Sequence, residues 1–175
     1  CLDAHYASGT SVKDFIENNA RYTDLVKLGF GTSVVSSHVE EKISLYQKAG
    51  IKVYFGGTLF EAFLVRNMFD DYVKLVQKFK LTTVEVSDGS MYIHHSQKLD
   101  YISRLSKQFT VLSEVGSKQK GVEIPDEVWV EMMKSELDAG AWKVIGEARE
   151  SGTTGLYHAD GSANVQLITL INTKL

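Results

Sequence analysis

Residues 51–64 read IKVYFGGTLFEAFL, and this stretch decides the fold. Ile51–Phe55 is a short apolar run with β-branched and aromatic residues, which suits a strand better than a helix. Gly56 and Gly57 then break the run. Phe60, Phe63 and Leu64 open an apolar stripe at helical spacing, which continues through Met68, Tyr72, Val73, Val76 and Phe79 as one long helical face. An apolar run, a glycine joint and an amphipathic segment together make one strand–helix unit.

The same unit recurs along the chain. Apolar runs sit at Leu25–Leu28, Thr82–Val86, Thr110–Val115 and Trp142–Ile145, and Cys1–Asp3 reads as a first strand clipped at its start. Between them, Val39, Ile43 and Tyr46 form a helical stripe stopped by Gly50, and Leu99, Ile102 and Leu105 form another. Pro125 precedes a stripe of Val128, Trp129, Met132, Met133 and Leu137, and Gly140 ends it. Proline at the start and glycine past the end is the expected asymmetry of a helix. Repeated strand–helix–strand units require a parallel sheet, either open and doubly wound or closed into a barrel. No GxGxxG or GxxxxGK[ST] pattern follows the early strands, which weakens the dinucleotide and P-loop readings. Polar residues follow nearly every run, as in a barrel that builds its site from many strand ends.

Composition sets the outer bounds. A hydrophobic fraction of 43% and a charged fraction of 23% are those of a globular chain able to bury a core, and residues 1–175 read as a single domain. A formal net charge of −3 carries no nucleic-acid footprint. The single cysteine, Cys1, rules out a disulfide within the chain and a Cys/His metal cluster, and favours a cytoplasmic setting. No run reaches the ~18 apolar residues of a membrane span. No signal peptide pattern opens the chain, and the absence of an initial Met points to residues before Cys1. The expected partners are therefore small molecules, with neither nucleic acid nor membrane among them.

The chemistry collects just after the apolar runs. VKLGFGTS carries Lys27, Gly29, Gly31, Thr32 and Ser33; YFGGTLFE carries Gly57, Thr58 and Glu61; VEVSDGS carries Glu85, Ser87 and Asp88. LSEVGSK carries Glu114, Ser117 and Lys118, and GEARESG carries Glu147, Arg149 and Ser151. Carboxylates at converging strand ends suit a hard divalent cation such as Mg²⁺, which prefers oxygen ligands. Lys27, Lys118 and Arg149 can hold an anionic substrate or transfer a proton. Glycine lets backbone N–H groups approach an oxyanion closely. The set describes a site for a small, highly anionic substrate. Plainer readings stand beside these. Lys27 can be one half of a structural ion pair, Gly56-Gly57-Thr58 a tight turn instead of a phosphate contact, and Asp88-Gly89 an ordinary turn. His94 and His95 read as solvated loop residues before a helix, and Cys1 as inert.

Taken in order, VKLGFGTSVV, IKVYFGGTLFE, VEVSDGS, VLSEVGSK and KVIGEARESG resemble the successive strand-end motifs of the phosphosulfolactate synthase family, from about Leu2 to about Ile171. The resemblance implies a (β/α)8 TIM barrel that acts as a carbon–sulfur lyase. Such an enzyme adds sulfite to phosphoenolpyruvate with Mg²⁺ and forms (R)-2-phospho-3-sulfolactate, at the opening of coenzyme M synthesis or on the way to sulfolactate. It implies Lys118 as the general acid, with Glu114 beside it. Lys27, Gly57, Thr58, Ser87, Arg149 and Ser151 are then substrate-binding residues, and Glu85, Glu114 and Glu147 are candidate Mg²⁺ ligands. A homo-oligomer is expected.

Two departures from the family pattern stand out. Gly146 replaces a larger residue and predicts looser packing or a variant pocket. The chain also holds six strand–helix units, ending in the helix-like VQLITLINTKL, so the last two strands of a barrel lie outside it and the barrel is expected to be incomplete at both ends. Two other functions remain compatible with the residues. One is another barrel lyase or aldolase on a phosphorylated substrate, with Lys27 as a Schiff-base nucleophile. The other is a non-catalytic binding module derived from a barrel.

Overall fold

The computed structural model describes residues 2–3, 9–117, 124–148 and 155–175. Six strands alternate with helices: β1 (Leu2–Asp3), β2 (Leu25–Leu28), β3 (Lys52–Phe55), β4 (Thr83–Val86), β5 (Thr110–Val115) and β6 (Lys143–Gly146). Each lies within one residue of its apolar run in the sequence. The helices are α1 (Gly9–Asn19), α2 (Phe30–Val35), α3 (Val39–Lys48), α4 (Gly57–Leu64), α5 (Phe69–Lys78), α6 (His95–Ser106), α7 (Asp126–Asp138) and α8 (Val165–Lys174), and a 3-10 turn spans Ala20–Tyr22. Among the described residues no helix is long and apolar enough to cross a membrane.

The chain divides into two compact units, Cys1–Glu85 and Val86–Leu175. In the first unit β1, β2 and β3 form a sheet in sequence order, and both pairings are parallel. The register sets Leu25 against Lys52 and Leu28 against Phe55. Phe55 meets Phe79 edge-on at 5.4 Å between ring centroids, and Phe60 meets Tyr72 at 5.3 Å. Such edge contacts suit the ring quadrupoles and add to the burial of apolar area.

The second sheet has the order β4-β5-β6, with β5 and β6 parallel and Val115 opposite Gly146. In the second unit Val115, Trp129, Met133 and Leu167 form a buried cluster. Asn164 fixes the start of α8 by accepting the Leu167 N–H at 3.0 Å, which satisfies one of the orphan donors of a helix start.

Three helices end in the same way. Gly50 after α3, Lys80 after α5 and Gly140 after α7 take positive φ, and the next residue donates back into the helix: Ile51 to Tyr46, Leu81 to Val76, Ala141 to Glu136. This left-handed stop turns the chain from each helix toward the following strand.

Two expectations change. The apolar stripe from Phe60 to Phe79 is two helices, because Asn67 adopts φ 56° and Asn67 and Met68 donate back to Leu64 and Phe63. Asparagine tolerates the left-handed region, so the helix stops although the apolar spacing runs on. Gly146 leaves neither loose packing nor an open pocket, since a Cβ there would lie 2.9 Å from Leu156 Cδ1. Leu156 already fills the space that a larger residue at position 146 would take.

Candidate functional site

In the first unit, Lys27 sits on β2 and Glu85 on β4. The Lys27 Nζ lies 3.0 Å from Glu85 Oε1; the lysine side chain is 24% exposed and the glutamate 1%. The same Oε1 accepts the Gly57 backbone N–H at 2.6 Å. Gly57 is the first residue of α4, so the carboxylate caps that helix where its positive dipole end and orphan donors favour an anion. Gly56 leaves room for the lysine stem, since a Cβ there would meet Lys27 Cε at 3.0 Å. The two glycines therefore have separate duties, one steric and one as a donor. Burial, and then the nearby Glu85 carboxylate, push the Tyr72 phenol well up, so it stays protonated.

In the second unit, a buried charge network stands behind the ends of β4 and β5. Lys98, on α6, is fully buried, and its Nζ reaches Asp88 Oδ1 at 2.8 Å, the Glu114 backbone oxygen at 2.7 Å and Glu136 Oε1 at 2.9 Å. Glu136, on α7, is as buried, and its Oε2 accepts the Ser113 hydroxyl at 2.6 Å. His95 Nε2 is 3.0 Å from Ser135 Oγ, and Nδ1 faces Glu136 Oε1 at 3.8 Å. Burial works against the Lys98 charge, but the Glu136 and Asp88 carboxylates outweigh it and its pKa is raised. Burial also raises Glu136, against the pull of Lys98 and the Ser113 hydroxyl. Burial and then the Lys98 charge lower His95, which leaves its ring neutral near pH 7.

Glu114 and Glu147 are both buried. Glu114 lies on β5 opposite Ile145, and Glu147 directly follows β6, its N–H bonded to the Val115 carbonyl at 2.8 Å. Ser113 points to the face of β5 opposite Glu114, toward Glu136. Gly116 takes φ 127°, and a Cβ there would lie 2.6 Å from Glu147 Cβ and 2.7 Å from Trp129 Cη2. Only glycine lets β5 turn in this space. A cleft of about 370 Å³ opens here, with Asp88, Tyr92, His94, His95, Ser117 and Met132 in its wall.

Among the described residues no group of three or more His, Cys, Asp or Glu stands together as a metal site. Magnesium needs fewer protein ligands, because it keeps several waters and takes one or two carboxylates plus substrate phosphate. Glu114 and Glu147 are buried oxygen donors of the type that requirement names. Glu85 is held by Lys27 and Gly57 within the first unit.

The structure thus brings Lys27, Gly57 and Glu85 together in one unit, and buries Glu114 and Glu147 in the other. Ser87 is buried beyond β4, and Thr58 is half-buried at the start of α4. Lys118, Arg149 and Ser151 lie outside the described residues, as does Cys1. His95 is not the solvated loop residue that the sequence suggested. It opens α6 and packs on Ser135 and Glu136, because helix formation turns its ring inward. Lys98 and Glu136 escaped the sequence reading because charged residues on helices ordinarily face water. Their spacing held the signal. Lys98, Ile102 and Leu105 share one buried helix face, as do Trp129, Met133 and Glu136.

Comparison with known proteins bears on this geometry. The family model described as (2R)-phospho-3-sulfolactate synthase (ComA) matches residues 2–175. The phosphosulfolactate synthase of Bacillus subtilis (strain 168) is 38% identical over 158 residues, covering 89% of this chain and 63% of that protein. The phosphosulfolactate synthase of Methanocaldococcus jannaschii is 40% identical over 156 residues, covering 86% and 62%. The chain therefore spans about three-fifths of the length of these curated relatives. Among solved structures, a 2,3-dimethylmalate lyase of the PEP mutase/isocitrate lyase superfamily superposes with a TM-score of 0.56 at 11% identity, covering 99% of this chain and 62% of that one. The phospho-2-dehydro-3-deoxyheptonate aldolase of Thermotoga maritima gives 0.53 at 11% identity, covering 99% and 47%. At such identities the likeness concerns fold alone, and the fold is the α/β class of TIM-barrel lyases and aldolases. With five strand-end motifs in order and a family match from residue 2 to residue 175, the chain belongs to the (2R)-phospho-3-sulfolactate synthase (ComA) family.

Proposed function

We propose that the protein to which this chain belongs adds sulfite to phosphoenolpyruvate and releases (R)-2-phospho-3-sulfolactate. The observation that carries this reading is the order of the five strand-end motifs within a family match over residues 2–175. The chemistry of the strand ends supports it. Lys27 is a partly exposed cation near the end of β2, and Glu114 and Glu147 are buried carboxylates near the ends of β5 and β6.

In this reaction the sulfur lone pair of sulfite forms a bond to the methylene carbon of phosphoenolpyruvate. The double-bond electrons move onto the adjacent carbon and its carboxylate, and a proton then adds to that carbon. The carbon–oxygen bond to phosphate stays intact. Cationic groups lower the barrier by stabilising the charge that builds on the carboxylate. Lys27 and Arg149 bind the substrate anions, assisted by Gly57, Thr58, Ser87 and Ser151. Lys118 delivers the proton; Glu114 and Glu147, or Glu85, would hold Mg²⁺, which when bound would supply charge stabilisation. The product would feed coenzyme M or sulfolactate synthesis.

The test is phosphorus NMR of the full-length protein with phosphoenolpyruvate and sulfite, with and without Mg²⁺. The expected result is loss of phosphoenolpyruvate and growth of a new phosphate monoester signal, dependent on both sulfite and Mg²⁺. Phosphoenolpyruvate left untouched in the presence of sulfite and Mg²⁺ would overturn the reading. Lys118→Ala is expected to abolish turnover, and an active variant would remove that residue from the role.

A further inference from the structure

We infer that Lys98 is a positioning residue, which holds the end of β5 in the geometry that the reaction needs. The inference rests on the synthase reading above for what is positioned, but on the structure alone for how.

A buried ammonium has three N–H donors, and Lys98 has three oxygens around it at 2.7–2.9 Å: Asp88 Oδ1, the Glu114 backbone oxygen and Glu136 Oε1. Two of these are ordinary carboxylate partners. The third is not required for charge balance and fixes strand geometry. The Val115 carbonyl accepts the Glu147 N–H at 2.8 Å, toward β6. Carbonyls alternate in direction along a strand, so the Glu114 carbonyl faces away from β6, and there it accepts a charge-assisted bond from the Lys98 ammonium. One side chain thereby ties the loop after β4, through Asp88, to the end of β5, through Glu114.

The residues tethered by that bond lead directly into the cleft. Glu114 carries a candidate metal-binding carboxylate. Gly116 turns the chain at φ 127°, and Ser117 lines the cleft and directly precedes Lys118 in the sequence. Lys98 on α6 thus holds the Glu114 carbonyl two residues before this turn. Glu136 holds Lys98 from α7 and also takes the Ser113 hydroxyl, so residues 113 and 114 are both gripped from the helix side. Such support of a reacting group by buried partners keeps its rotamer and backbone in place, and a displacement of about 1 Å can cost on the order of 10²-fold in rate.

Full-length protein decides the matter through three variants. Lys98→Met alone leaves Glu136 as an uncompensated buried charge, which threatens folding. The double variant Lys98→Met/Glu136→Gln removes both charges. Asp88→Asn acts at the partly exposed end of the network. Each is normalised to its folded fraction by circular dichroism. The expected result is a folded double variant whose kcat falls on the order of 10²-fold, with KM for phosphoenolpyruvate little changed. Its solvent deuterium isotope effect on kcat should rise, because proton delivery has become slower. Amide exchange should quicken at Val115–Ser117 and not elsewhere in residues 86–175. Asp88→Asn should show the same pattern to a smaller degree. A folded double variant, or a folded Asp88→Asn protein, with wild-type kcat and unchanged exchange at Val115–Ser117 overturns the inference. If the wild-type protein fails to join sulfite to phosphoenolpyruvate, the synthase reading falls, and exchange at Val115–Ser117 then decides the role of Lys98 by itself.

Discussion

The Lys27 ammonium and the Glu85 carboxylate meet at 3.0 Å, and the same carboxylate oxygen caps α4 through the Gly57 N–H. A charged side chain on β2 and one on β4 thus form the anchor for the start of a helix.

This pairing predicts an asymmetric response to mutation. Lys27→Met strips the buried Glu85 of its cation and should destabilise the protein by about 2–3 kcal/mol, less than a fully buried pair because Lys27 is partly solvated. The double variant Lys27→Met/Glu85→Gln should recover most of the loss, since glutamine still accepts the Gly57 N–H. Urea unfolding of the wild type, both single variants and the double variant measures the coupling. A loss in the double variant equal to the sum of the two single losses would show that the pair contributes nothing as a pair.

His95 predicts a loss of stability on mild acidification. Its pKa in the folded state lies below the ordinary 6.5, through burial and the Lys98 charge, with Asp88 opposing and His94 adding a little. The unfolded chain therefore binds the proton more readily than the folded one. Stability from this residue is complete above pH 6.5 and falls as pH drops from 6.5 toward the lowered value. Glu136 has the opposite sign, because its raised pKa makes the folded state the better proton binder as pH falls toward its own range. Thermal melts of wild type and His95→Asn between pH 7.5 and 5 separate the two. The variant should lack the decline that begins near 6.5, and identical slopes would refute the assignment.

Gly116→Ala should be severe. The added methyl would meet Glu147 Cβ at 2.6 Å and Trp129 Cη2 at 2.7 Å, on a backbone at φ 127°. Strain and overpacking together should cost roughly 3 kcal/mol. Gly31→Ala is the contrasting case, since nothing lies within 4 Å of the added carbon. The difference in denaturation midpoint between the two variants checks the claim.

The apolar runs placed β2 at Leu25–Leu28 and β5 at Thr110–Val115 without error, and the glycine stops at Gly50 and Gly140 recur as left-handed turns. Burial of Glu85, Glu114 and Glu147 was likewise legible, since each falls among the apolar residues of a strand end. The break at Asn67 was not, because apolar spacing continues straight through it and only the backbone φ reveals the stop.

What the sequence by itself determined is the series of strand–helix units and the family, because period, turn chemistry and motif order are properties of neighbouring residues. Which charges meet was decided only by the tertiary structure. Gly57 and Glu85 are 28 positions apart, and Lys98 reaches a backbone oxygen 16 positions away. A backbone carbonyl has no side-chain identity, so no reading of residue types could have named it as the partner of Lys98. A buried charge is tolerated only where its partners converge, and that convergence exists only once the helices pack against the strands.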